Sequence, residues 1–194
     1  IGAGIAVVCA AFIFPIRAQQ TLKQALPAFI ETPKKTVKNA FHYLLTPKQQ
    51  YDKNRAGALL KTFSSLHENI QSIRYETLFQ SYSRQLSQQL FINLKILFYY
   101  VTSIDELAVT IKNNNALIVI QEELTRHAHI LSVNFAHIES LLAKSTPKHR
   151  FQPLGELRAQ IRDKTLESLK ASTSQQSDWL KIYPFLYAAR KTND

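Results

Sequence analysis

Apolar residues recur three and four positions apart through most of the chain, the period of one face of an α-helix, so a succession of helices is expected. Leu59, Phe63, Leu66, Ile70, Ile73 and Thr77 follow one another at spacings of 4, 3, 4, 3 and 4. That is a heptad seam, with Lys61, Ser65, Glu68 and Gln71 between its members. Leu86, Leu90, Leu94, Leu97, Val101 and Ile104 repeat the style, ending in the very apolar ILFYYV stretch. A break is expected between Phe79 and Arg84, although neither Gly nor Pro marks it. A third long helix is expected to carry Leu117, Ile120, Leu124, Ala128, Leu131, Phe135, Ile138 and Leu142. Ser103 is placed to cap its start, with Asp105 and Glu106 suited to the positive end of the helix dipole. The polar run Lys112-Asn113-Asn114-Asn115 offers a turn that would divide it.

Proline punctuates the rest. A helix from Arg17 to Ile30 carries Leu22, Leu26 and Phe29 on one side, and Pro27 is expected to kink or split it. Thr32-Pro33 supplies an N-cap and a Pro at the first helical position, predicting a short helix with Val37, Phe41 and Leu44/Leu45. Thr46-Pro47 repeats that signal. Ser145-Thr146-Pro147 and Phe151-Gln152-Pro153-Leu154-Gly155 mark a loop, after which Glu156 to Ala171 reads as a helix with Leu157, Ile161, Leu166 and Leu169 inward. Ser172 to Ser177 reads as a polar hinge. The last segment, Asp178 to Arg190, has Asp178 as its cap and Pro184 as a bar to a regular helix through its middle. Its Trp179, Ile182, Tyr183, Phe185, Leu186 and Tyr187 predict that it docks on something.

The opening differs from all this. Ile1 to Phe14 is an uninterrupted apolar run, followed by Pro15, Ile16 and Arg17. A bilayer-crossing helix needs about 20 apolar residues, so the run alone is short. The sequence contains no Met and opens on Ile1, from which further apolar residues upstream are expected. Gly2, Ala3, Gly4, Ala6, Ala10 and Ala11 suit close packing between membrane helices. Arg17, Lys23, Lys34, Lys35 and Lys38 follow, opposed only by Glu31, which places the downstream side in the cytoplasm and these five residues at the membrane interface. Two other readings stay open: the apolar core of a signal peptide, or a buried helix of a soluble protein. The expected fold class is all-α, an antiparallel bundle of long helices following the end of a transmembrane helix. Its parts are residues 1–16 as the end of that helix, 17–46 as basic juxtamembrane helices and 47–194 as a cytoplasmic bundle.

Composition narrows the chemistry. Among 194 residues there are 4 Gly, too few for the tight turns of a β-sandwich or barrel. The single Cys, Cys9, excludes an intramolecular disulfide and Cys-rich zinc sites. His127 and His129 are two apart and point to different sides of a helix, so they cannot share a metal. Glu123 and His127 are one turn apart, but further ligands cannot be placed, and no metal or cofactor is expected. His42 and His137 lie beside apolar positions and read as buried. Glu122-Glu123 and Asp105-Glu106 read as solvated faces and caps. Without a phosphate loop, a G-x-S-x-G or an H-E-x-x-H, the chain is not expected to be an enzyme, and no catalytic residue is assigned.

The net charge is +10. Residues 1–50 hold six Lys and Arg against one acidic residue, a bias that anionic lipid headgroups explain more simply than nucleic acid. Lys144, Lys148, Arg150, Arg158, Arg162 and Lys164 form a second basic region, partly offset by Glu156 and Asp163. No recognition helix or zinc finger accompanies either patch, so nucleic acid is not an expected partner.

The segment IGAGIAVVCAAFIFPIRAQQTLKQALPAFIET resembles the closing membrane helix of the fusaric acid resistance and aromatic acid exporter-like family. In that family a Gly/Ala-rich apolar helix ends in a Pro with an Arg close behind, and Gly2, Gly4, Pro15 and Arg17 match that shape. The resemblance implies a bacterial inner-membrane exporter of aromatic or other weak organic acids. This chain would be its largely cytoplasmic helical domain, with a regulatory or assembly role and with lipid and further subunits or copies of itself as partners. The alternative is a membrane-anchored helical scaffold or adaptor subunit of a larger complex, with ILFYYV and the aromatic C-terminus as interfaces.

Overall fold

The computed structural model describes residues 24–192 except 25, 28, 47, 48, 52, 53, 77–80, 144, 148 and 172–175. The expected membrane segment 1–16, with Cys9, and Arg17 and Lys23 therefore lie outside the described residues, as does the expected break at Phe79.

The described residues are all helical, with no strand among them. They form α1 (residues 24–45), α2 (Arg55–Glu76), α3 (Ser81–Ile111), α4 (Ala116–Val119), α5 (Gln121–Leu142), α6 (Gly155–Ala171) and α7 (Gln176–Lys191). None of these helices is long and apolar enough to cross a membrane. They pack as a helical bundle in which α3 meets both α2 and α7, α5 meets α6, and α4 meets α7.

The two helices expected before residue 46 are one. Pro27 and Pro33 both lie inside α1. An internal proline costs about 3 kcal/mol, but Phe29, Ile30, Val37, Ala40, Phe41 and Leu44 fall on one face and are all buried, which offsets that cost. Phe29 lies 6.5 Å from Phe63 of α2, and Phe41 lies 5.3 Å from Phe185 of α7. The end of α1 is closed by Lys112, whose ammonium donates to the carbonyl of Tyr43 and, at 2.6 Å, to that of Thr46. A cation there satisfies carbonyls that lack an intrahelical partner and meets the negative end of the dipole.

The heptad seams hold where they can be followed. Leu59 and Leu66 of α2 and Leu94, Val101 and Ile104 of α3 are buried, and Phe63 stacks on Phe98 at 4.4 Å. The helix boundary expected at Ser103 is not there. Burial of Val101, Ile104, Ala108 and Ile111 on one face carries α3 through to Ile111. Ser103 is consequently internal, and its hydroxyl donates to the Tyr99 carbonyl four residues back at 3.0 Å. Asp105 is no cap either. It is buried, with the Tyr51 hydroxyl donating to it at 2.7 Å. The turn falls at the asparagine run instead. Asn114 accepts from the Ala116 amide at 2.9 Å and donates to the Asp178 carbonyl at 2.9 Å, fixing this corner to the start of α7.

The C-terminal aromatic segment docks on its own chain: Trp179, Ile182 and Phe185 are buried. Pro184 does not interrupt α7, which runs continuously from Gln176 to Lys191. The carbonyl that Pro184 leaves unpaired is that of Leu180, and both residues are exposed, so water can satisfy it.

Candidate ligand cavity

α5 turns Leu124, Leu131 and Phe135 into the core, and His127 lies on the same stripe. Only 2% of His127 is exposed, with its ring 5.6 Å from that of Phe41. Neither ring nitrogen has a hydrogen-bond partner. Burial pushes its pKa down to about 4; the Ala189 backbone is near enough to oppose that shift without meeting hydrogen-bond geometry. His127 is therefore neutral at pH 7, with one nitrogen a donor and the other an acceptor.

One turn earlier, Glu123 is also buried, and Lys164 of α6 places its Nζ 2.6 Å from Oε1. That hydrogen bond raises the Lys164 ammonium above the ordinary lysine value. Burial of Glu123 and Asp105 departs from the expectation of solvated or capping carboxylates. In each sequence pair the other member, Glu122 or Glu106, is the exposed one, as adjacent residues on a helix must face apart.

The approach of α6 to α5 is fixed by the loop before it. The Asn134 side chain donates to the Gln152 carbonyl and accepts from the Gln152 amide, both at 2.8 Å. His137, half-buried as expected from its neighbours, has Nδ1 2.8 Å from the His149 carbonyl, whereas His42 is exposed. Leu154, Leu157 and Ile161 then form a small buried cluster with Ile130 of α5 and Leu186 of α7. Trp179 Nε1 donates to the Ser168 hydroxyl at 3.2 Å, joining α7 to the far end of α6.

Between these three helices lies a cavity of about 560 Å³, within the usual range for small-molecule sites. His127, Ile161 and Leu186 line it beside Arg158, Arg162, Thr165 and Leu166 of α6 and Tyr183, Tyr187 and Arg190 of α7. Arg158 and Arg162 are one turn apart and share a face, as do Tyr183, Tyr187 and Arg190 at spacings of four and three. The Arg190 guanidinium lies 5.5 Å from the Tyr187 ring centre, and Arg162 Nε donates to Asp163 at 3.0 Å. Leu166, expected inward, is half-exposed at 48% and forms part of the rim. The lining holds three guanidinium groups and an imidazole with no carboxylate and no thiol, which suits it to holding an anion rather than to acid–base or nucleophilic chemistry.

Of the expected membrane-interface residues, Lys34, Lys35 and Lys38 lie along one face of α1 with Glu31. Lys34 is drawn into the bundle, 2.7 Å from Glu139 of α5 and 3.6 Å from Glu31, and the Glu139 hydrogen bond raises its pKa. Lys35 lies 3.2 Å from Glu31, and Lys38 is exposed. The sequence reading missed the cavity. Its signal was the place of His127 three residues after Leu124 and four before Leu131, inside an apolar stripe.

The chain matches no protein-family model, no curated protein and no solved structure.

Proposed function

We propose that the chain is the helical, largely cytoplasmic domain of an inner-membrane exporter of aromatic or other weak organic acids, with a regulatory or assembly role. The observation that carries this reading is the apolar run Ile1–Phe14 followed by Arg17 and the basic residues of α1. Exposed Lys35 and Lys38 support it, since each basic residue near an anionic leaflet adds about 1 kcal/mol of attraction. Lys34 contributes less, because its charge is already met by Glu139 and Glu31. In this reading the helices form an antiparallel bundle beneath the bilayer.

Fractionation of bacterial cells expressing the full chain tests it. The chain is expected in the inner membrane and resistant to alkaline carbonate, with release on deletion of residues 1–16. Deleting its gene is expected to sensitise the cells to aromatic carboxylic acids. Carbonate release of the intact chain, or unchanged sensitivity, overturns the reading.

A second reading, an anchored scaffold, is favoured by one feature. Ile92, Ile96 and Tyr99 of α3 are spaced by four and three and are 49%, 47% and 65% exposed, a one-sided apolar stripe fit for a partner helix. Polar substitution at Ile92 and Ile96 that leaves the full chain's assembly state unchanged counts against it.

A further inference from the structure

We infer that the cavity between α5, α6 and α7 binds a small amphipathic organic anion, its charged head received by His127, Arg158 and Arg162 and its apolar body covered by Leu186, Tyr183 and Tyr187. This goes beyond the membrane reading and does not rest on it, since every residue involved belongs to the described helices.

Three observations converge. The His127 imidazole is almost wholly buried, lines the cavity, and has both nitrogens without a partner. Buried polar groups in folded proteins are nearly always hydrogen-bonded, and a ligand oxygen over the ring supplies the missing acceptor for its N–H. Arginine dominates the polar part of the lining, and the nearest buried carboxylate, that of Glu123, is already paired with Lys164. The field inside the cavity is therefore positive, and guanidinium groups one turn apart match the two oxygens of a carboxylate. The remaining surface is aliphatic and aromatic. A bare inorganic anion leaves it wet, whereas a ligand with a ring-sized apolar body dries it.

The test is titration of naphthoate into the full chain, followed by calorimetry and by heteronuclear NMR of the imidazole nitrogens. Saturable one-to-one binding is expected, with the His127 signals moving. Naphthamide, the same shape without the charge, and inorganic phosphate, charge without the apolar body, are each expected to bind at least about tenfold more weakly. His127→Phe removes the donor but alters a buried position, so the decisive variant is the exposed pair Arg158→Gln with Arg162→Gln. It is expected to lose at least about tenfold in naphthoate affinity with an unchanged melting temperature. Absence of saturable naphthoate binding at millimolar concentration overturns the inference. Equal affinity for naphthamide, equal affinity for phosphate, or undiminished binding by the double variant does the same.

Discussion

Asn134 grips the backbone of Gln152 from both sides, giving its amide hydrogens to the carbonyl and taking the N–H, each at 2.8 Å. One buried side chain thereby does for the loop what a neighbouring strand does in a sheet. Asn134→Ala is expected to cost about 2–3 kcal/mol, because it leaves both Gln152 groups unpaired. Asn134→Asp keeps the acceptor but brings a second acceptor to the carbonyl, and is expected to recover none of that loss. Urea denaturation of both variants measures this.

Acid should act through His127. Its folded-state pKa of about 4 lies below the value of 6.5 for an unperturbed histidine, so the unfolded chain binds the proton more readily. The contribution of the neutral ring to stability is complete above pH 6.5 and is lost as pH falls towards 4. About 2 kcal/mol should disappear between pH 7 and 5. Thermal melts across that range, compared with His127→Leu, isolate the effect: the variant should gain on the parent steadily with acidification. Parallel curves would show that the ring is not what titrates.

The pair Glu123–Lys164 should respond asymmetrically. Lys164→Met leaves a carboxylate in a buried position with no cation, whereas Glu123→Gln frees an ammonium that can turn to solvent. The lysine variant is therefore expected to be the less stable of the two. Their urea midpoints settle the order, and a midpoint for Lys164→Met at or above that of Glu123→Gln contradicts it.

Pro184→Ala is expected to stabilise the protein by about 1–3 kcal/mol. It restores an amide donor to the Leu180 carbonyl and removes the ring clash within α7, at an exposed position where nothing packs on the proline. The melting temperature is the readout.

Much of the bundle was legible from spacing. The stripe Leu117, Ile120, Leu124, Leu131 and Phe135 is buried as its period required, and the asparagine run does divide the chain between α3 and α4. The errors share a cause. Pro27, Pro33, Pro184 and Ser103 carry strong local preferences for ending a helix, yet each sits in one whose buried face outweighs that preference. Local signals cannot report how much apolar area a helix will find to cover. The cavity was illegible for a related reason. Arg158 and Arg162 read as surface charge, and only the packing of α6 and α7 over His127 makes them walls of one space.

The apolar contacts that seat the first half of α6 are few and set apart from the main core: Leu154, Leu157 and Ile161, with Leu186 the one side chain packed against both clusters. Such a helix behaves like a hinged panel on a solid box. Its amides should exchange with solvent through openings that cost less than unfolding the whole, so that the protein has a loosest plank whose position is set by one leucine.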